Sequence, residues 1–268
     1  MPFITAQQSA QYYEKYSGIQ VTLTKDVIRV TGIQPSEVFM KCGGDQCPCI
    51  IYSTSMKDSK LIMKLDLNMI ERIKEASNVA SLRFCFKEKE KGKHLSFYVP
   101  GKIAGYSKYN AEGKNDFYIV NFEFSKKPAD DLIGIFGHLL DVNISSKKRS
   151  EVRLEVDSAL LKDLGMFSKS VKLEIEQIPR MGVLKDISFS GARIIISGIA
   201  KFLMNKTVSL NLKVEDFDKP IKVSGVIKHC ADVEGRKDLT IIGVKFDDDK
   251  IPMSFKTKIN DAINKRGI

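Results

Sequence analysis

Short apolar runs alternate with turn-forming clusters along this chain, a rhythm that predicts more strands than helices. In the first half, residues 20–30 read as two β runs around a turn at Lys25-Asp26. Val38-Phe39-Met40 and Ile50-Ile51-Tyr52 continue the strand pattern on either side of Gly43-Gly44-Asp45, a turn sequence. Met69, Ile70, Ile73 and Ala76 have helical spacing. Residues 81–86, 95–99 and 117–124 return to strand. Pro128-Ala129-Asp130-Asp131 then opens a helix, with proline early and acids in the first turn. Leu132, Phe136, Leu139 and Leu140 give that helix an apolar face, and residues 143–148 follow as a basic linker.

Beyond the linker, strand-like runs recur at 152–156, 171–175, 182–187, 191–196, 208–212, 221–227 and 239–246. Strands this short and this closely spaced predict a small antiparallel barrel. Residues 252–265 close the chain as a helix, with Ile259 and Ile263 one turn apart. The expected fold is mainly β, with two small antiparallel β-barrel domains, each followed by a helix and joined by a short basic linker. The boundaries are 1–142, 143–148 and 149–268. No residue-level repeat relates the halves.

Composition sharpens the class. At 268 residues, 43% hydrophobic and 28% charged, the chain can bury two ordinary cores, which excludes a disordered polypeptide. No apolar run is long enough to cross a bilayer, so no membrane insertion is expected. Met1 to Gln8 lacks a basic stretch followed by an apolar one, the mark of a secretory signal. Five cysteines, an odd number, fit a reducing compartment better than a disulfide framework. The expected location is the cytoplasm. Forty-three Lys and Arg against 33 Asp and Glu leave a net charge of +10. From Asn143 onward there are 24 basic and 17 acidic residues, so most of the excess lies in the second half. An anionic partner is implied.

Two separated motifs say more. Lys147-Lys148-Arg149-Ser150-Glu151-Val152-Arg153 places two arginines four residues apart behind two lysines. Further on, Asp186-Ile187-Ser188-Phe189-Ser190-Gly191-Ala192-Arg193 has an Asp-x-Ser-x-x-Gly spacing. Taken singly, each residue has a plain alternative: Arg153 could pair with Glu155 or Asp157, Asp186 could fix a hairpin, and Ser188 and Gly191 could merely form a turn. Together and in this order, the motifs resemble those of the PilZ domain, a family of cyclic di-GMP receptors. Gly243-Val244-Lys245-Phe246 resembles the strand that closes the barrel in that family. The resemblance covers about residues 145–265. The first half has neither motif; its layout is similar to the accessory domain of flagellar-brake proteins and, more closely, to two-domain PilZ proteins of the spirochaete PlzA-like type.

The chemistry suits that ligand. Cyclic di-GMP carries two phosphodiester charges and two guanines whose O6 and N7 accept hydrogen bonds, and a guanidinium fork matches both groups. A carboxylate can accept from guanine N1 and N2, a hydroxyl can add a phosphate or base contact, and a glycine permits a positive φ and a close backbone approach at the turn. The resemblance therefore implies a ligand site of Lys148, Arg149, Arg153, Asp186, Ser188 and Gly191, with Arg193 alongside. It also makes the position before the first arginine, Lys148, a selector between one bound ligand and a stacked pair.

No cofactor is implied. Cys42, Cys47 and Cys49 lie within eight residues, with Cys85 a further thiol, but they lack the paired Cys-x-x-Cys spacing of a zinc site. His94, His138 and His229 are scattered, and no nucleotide-loop or nucleophile motif occurs. Gly43-Gly44-Asp45 runs on into Gln46-Cys47, unlike a cyclic di-GMP synthase signature. The expected function is a non-enzymatic receptor. Its ligand orders a mobile segment, residues 145–153, changes the domain arrangement, and signals to an unidentified protein partner. The alternative is a basic protein that binds RNA or DNA through phosphate contacts.

Overall fold

A computed structural model describes residues 4–87, 94–109, 117–198 and 200–268. The chain forms two compact units, Met1–Asp141 and Val142–Ile268. In the first, α1 (Ala6–Tyr16) starts where the Thr5 hydroxyl accepts the Gln8 N–H and the Gln8 side chain accepts the Thr5 N–H. β1 (Val21–Thr22) is followed by α2 (Lys25–Thr31), where a second β run was expected. The ends decide this. Thr24 caps Val27, Asp26 sits in the first turn, and Gly32 ends the helix at φ 73°. Those caps outweigh the strand preference of Val27, Ile28, Val30 and Thr31.

The unit continues with β2 (Phe39–Cys42), β3 (Asp45–Pro48), β4 (Ile50–Thr54), β5 (Asp58–Lys64), α3 (Leu67–Glu75), β6 (Val79–Lys87), β7 (His94–Lys108), β8 (Phe117–Phe124) and α4 (Asp130–Lys148). Gly43 and Gly44 turn β2 into β3 at positive φ, as their sequence predicts. The eight strands are antiparallel in the order β1-β4-β5-β8-β7-β6-β2-β3. This sheet stays open, a correction to the expected first barrel. Its two edges, β1 and β3, are only two and four residues long and give little ladder for closure. Leu132, Ile133, Phe136 and Leu139 of α4 are buried, and Phe136 meets Phe84 of β6 edge to face at 5.9 Å.

The second unit holds β9 (Leu154–Glu155), α5 (Ser158–Leu164), β10 (Ser170–Ile175), β11 (Ile178–Ile187), β12 (Gly191–Ser197), β13 (Thr207–Leu212), β14 (Ile221–Val233), β15 (Arg236–Phe246) and α6 (Met253–Lys265). Here the barrel does close. Strands run β10-β13-β14-β15-β12-β11, and β11 returns to β10. β11 manages this by changing partners along its length: Ile178–Val183 face β10, Gly182–Ile187 face β12, and Asp186 and Ile187 also pair with β9. Alternate side chains point inward, so Leu173, Leu184, Ile194, Leu210, Val223 and Ile242 share one core. The short α5 had no signal in the apolar pattern; Asp157 caps it and Gly165 ends it at φ 69°.

Residues 143–148, read from the sequence as a linker, are the last turns of α4. They carry its basic charge, Lys147 and Lys148, at the end where the helix dipole favours cations. The closing helix α6 buries Phe255, Ile259, Ala262 and Ile263 and sets Phe255 edge to face on Phe246 at 5.4 Å. Phe255→Ala should therefore destabilise this unit by about 3–5 kcal/mol. A denaturant titration followed by circular dichroism would show the midpoint fall; an unchanged midpoint would mean that α6 is not part of the barrel's core.

Candidate ligand-binding site

The site is organised around one buried carboxylate. Asp186 is 2% exposed, near the end of β11, just after a register shift between Leu184 and Asp186. β12 brings Arg193 directly opposite it, and β9 lies along its other side, with Glu155 opposite. Buried Leu154 and Val156 anchor β9, and the Val156 N–H bonds to the Lys185 carbonyl at 2.9 Å. That docking carries Arg153, the residue before β9, to Asp186. Arg153 Nη1 donates to Asp186 Oδ1 at 2.8 Å, and Arg193 Nε donates to Asp186 Oδ2.

A carboxylate taken out of water needs such partners. The arginines themselves stay open, with side chains 44% and 48% exposed. Each gives Asp186 one N–H of its five, and among the described residues no other hydrogen bond occupies the rest. The pair is thus fixed at its base and free at its rim.

Arg149 continues the end of α4, its N–H bonding to the Ser145 carbonyl at 2.8 Å. Its Nη1 donates to Asn264 Oδ1 of α6 at 2.9 Å. Lys148 stands exposed at the helix end. Ser188 is fully buried and holds the turn between β11 and β12. Its hydroxyl accepts the Gly191 N–H at 3.1 Å and reaches the Gly191 carbonyl at 3.2 Å. Ser190 donates to the Ser150 carbonyl at 2.9 Å, which ties the second motif to the first. The structure thus brings Arg153, Asp186 and Arg193 into direct contact, sets Arg149 on α6, and gives Ser188 to the turn.

Beside this tie lies a 330 Å³ pocket whose walls include Ser146, Lys147, Ser190, Asp248 and Lys256. Burial pushes the Lys256 ammonium below its usual range, the Lys147 charge adds to that, and Asp248 opposes it. Lys256 Nζ donates to Asn143 Oδ1 at 2.9 Å. Elsewhere, burial raises the thiols of Cys42, Cys47 and Cys230, and raises Cys49 to about 12, so they stay protonated near neutrality. Among the described residues, no three His, Cys, Asp or Glu side chains are grouped to hold a metal.

A family profile described as the PilZN3 domain matches residues 7–143, and one described as the PilZ domain matches residues 147–264. A protein of Treponema denticola named cyclic di-GMP binding protein is 36% identical over 97% of this chain and 82% of its own. The chain belongs to the PilZ family. Among solved structures, that of Borreliella burgdorferi PlzA in complex with c-di-GMP is 20% identical, covers 96% of this chain and 98% of its own, and has a TM-score of 0.44. Escherichia coli YcgR in complex with c-di-GMP is 8% identical over 90% of this chain and 86% of its own, with a TM-score of 0.27.

In this PilZ domain the motif glycine is explained by proximity. Gly191 does not adopt the positive φ that its turn position suggested. A Cβ there would lie 2.3 Å from the Val244 carbonyl oxygen of β15, so only glycine lets β12 approach that strand. Sequence reasoning did not foresee Asn264 as the partner of Arg149. Gly243 was already visible in the closing-strand motif, but its place opposite Arg193 depends on strand register. Gly191→Ala should cost about 1–3 kcal/mol through overpacking. Gly18→Ala, with nothing within 4 Å of the added atom, should change little. Thermal melts of the two variants test this, and equal shifts would show that Gly191 is not held by the Val244 carbonyl.

Proposed function

We propose that this chain is a cyclic di-GMP receptor, with the ligand held at the rim of the PilZ barrel. The observation that carries the reading is the Arg153–Asp186–Arg193 cluster: two guanidiniums, anchored by one buried carboxylate, with their remaining donors open to solvent. The Treponema denticola relative, by its name a cyclic di-GMP binding protein, supports it. In this reading Arg149, Arg153 and Arg193 donate to phosphate oxygens and to guanine O6 and N7, and Lys148 adds charge beside them. Asp186 aligns the arginines and accepts from guanine N1 and N2 wherever the ligand displaces one of them. Ser188 and Gly191 fix the turn that carries this wall.

The mechanism is exchange of partners. Arg149 leaves Asn264, and Arg153 loosens from Asp186, as the dianionic ligand takes up both forks. The stretch 145–153 is thereby pinned by the ligand, which changes the arrangement of the two units and the surface offered to a protein partner. The chain acts as a cytoplasmic receptor with no catalytic step. An RNA or DNA reading is weaker. The 490 Å³ groove on the barrel wall mixes Lys222, Lys228 and Lys245 with Glu174, Glu176 and Asp247, and carboxylates there would repel a phosphate backbone.

Arg149→Ala, Arg153→Ala and Arg193→Ala should each weaken cyclic di-GMP binding about tenfold or more, the worth of a charge-assisted contact at roughly 1.5–3 kcal/mol. Titration calorimetry measures this, and wild-type affinity in all three variants would remove the site from this rim. Tryptic cleavage after Lys147, Lys148 or Arg149 should slow when cyclic di-GMP is added. Equal cleavage rates with and without ligand would exclude pinning of the segment while leaving binding intact.

A further inference from the structure

Three lysines lie on α6, and one of them lacks the kind of partner the others have. Lys258 pairs with Asp216 at 2.5 Å and Lys265 with Asp163 at 3.6 Å. Among the described residues no carboxylate forms a salt bridge with Lys256; its Nζ donates to a neutral acceptor, Asn143 Oδ1. Two features of its place also work against a positive charge. The Lys256 N–H bonds to the Pro252 carbonyl, so the residue closes the first turn of α6, where the helix dipole disfavours cations. Lys147, a second cation, shares its pocket.

Lys256 is half-buried and lines the 330 Å³ pocket beside the Ser190–Ser150 tie. That volume is at the small end for a ligand pocket, about 300–1,000 Å³. Lys147, Ser150 and Ser190 form part of the wall, and Asp248 and Asp249 another part. A cation and two hydroxyls suit a phosphoryl group, and a carboxylate can carry a proton. Burial and the Lys147 charge hold Lys256 below the usual lysine range against the pull of Asp248. It therefore supplies more neutral amine near neutrality than an exposed lysine does. Only the neutral amine is a nucleophile.

We propose that Lys256 is an acylation site whose donor is a small acyl phosphate taken into this pocket. The Lys256 nitrogen attacks the carbonyl carbon, and a C–N bond forms. The C–O bond to the phosphoryl group breaks, and its electron pair leaves with the phosphate. The proton that the nitrogen sheds passes to that phosphate, with a pocket carboxylate as carrier, so the products are an amide and hydrogen phosphate. Lys147 offsets the charge on the departing group. The amide is neutral: it keeps one N–H for Asn143 but ends the repulsion between Lys256 and Lys147 at the end of α4. Acylation thereby resets the charge beside the segment that leads into the first motif.

The test is incubation of the full chain with acetyl phosphate, followed by mass spectrometry that reads acetylation lysine by lysine. Lys256 should be modified several-fold faster than Lys148 and Lys228, which are exposed. Its rate should also level off at a lower pH than theirs, because Lys147, Asp248 and Asp249 are the charged groups around it and burial frees its amine sooner. In urea that unfolds the chain the lead should vanish. Lys147→Gln, an exposed change, should slow acetylation at Lys256 and leave Lys228 as it was. If Lys256 reacts no faster than Lys148 and Lys228 in the folded chain, or keeps its lead in urea, the site is wrong. If Lys147→Gln leaves the Lys256 rate unchanged, the pocket does not hold the phosphoryl group and the assignment falls.

Discussion

A negative charge buried at a strand end is the constraint on which the PilZ unit's working face depends. Asp186 is nearly sealed from water, and a carboxylate so placed must be met by cations or it would oppose folding. Two arginines meet it from different parts of the chain: Arg193 through the β11–β12 ladder, and Arg153 through the two-residue strand β9. The demand of one charge thus gathers three elements. In the receptor reading it also aims the guanidiniums in advance, which lowers the ordering cost of binding.

That arrangement changes the meaning of the second motif. The resemblance set Asp186 and Ser188 side by side in the ligand site. Asp186 faces its arginines, and the Ser188 hydroxyl bonds to Gly191. The Asp-x-Ser-x-x-Gly pattern thus also builds a turn and an anchor that hold Arg193 and Arg153 in position. The Ser190–Ser150 bond fastens the two motifs at a second point.

The barrel strands, the long helix α4 and the closing helix were legible because their apolar positions keep a strict period. Failures came where a few polar residues outvote the period. Thr24 and Gly32 make a helix of a β-branched stretch, and Asp157 and Gly165 make another too short to show an apolar face. The closed second barrel was expected from its short, evenly spaced strands, but the open first sheet was not, since closure depends on a strand changing partners midway, as β11 does, which leaves no mark on alternation. For the same reason the motifs named Arg149 but not its partner Asn264, which α6 brings from 115 residues away.

The open sheet of the first unit carries a hazard that the closed barrel avoids, since unpaired strand edges invite other chains to add on. Both of its edges are blunted. β1 offers only Val21 and Thr22, and β3 ends in Pro48, which has no N–H to lend, while Asp45 at its start is held by Arg72. Both edge strands thus offer a neighbouring molecule only a short ladder of backbone groups. The consequence is colloidal: short, capped edges discourage stacking between copies of this unit without closing its sheet.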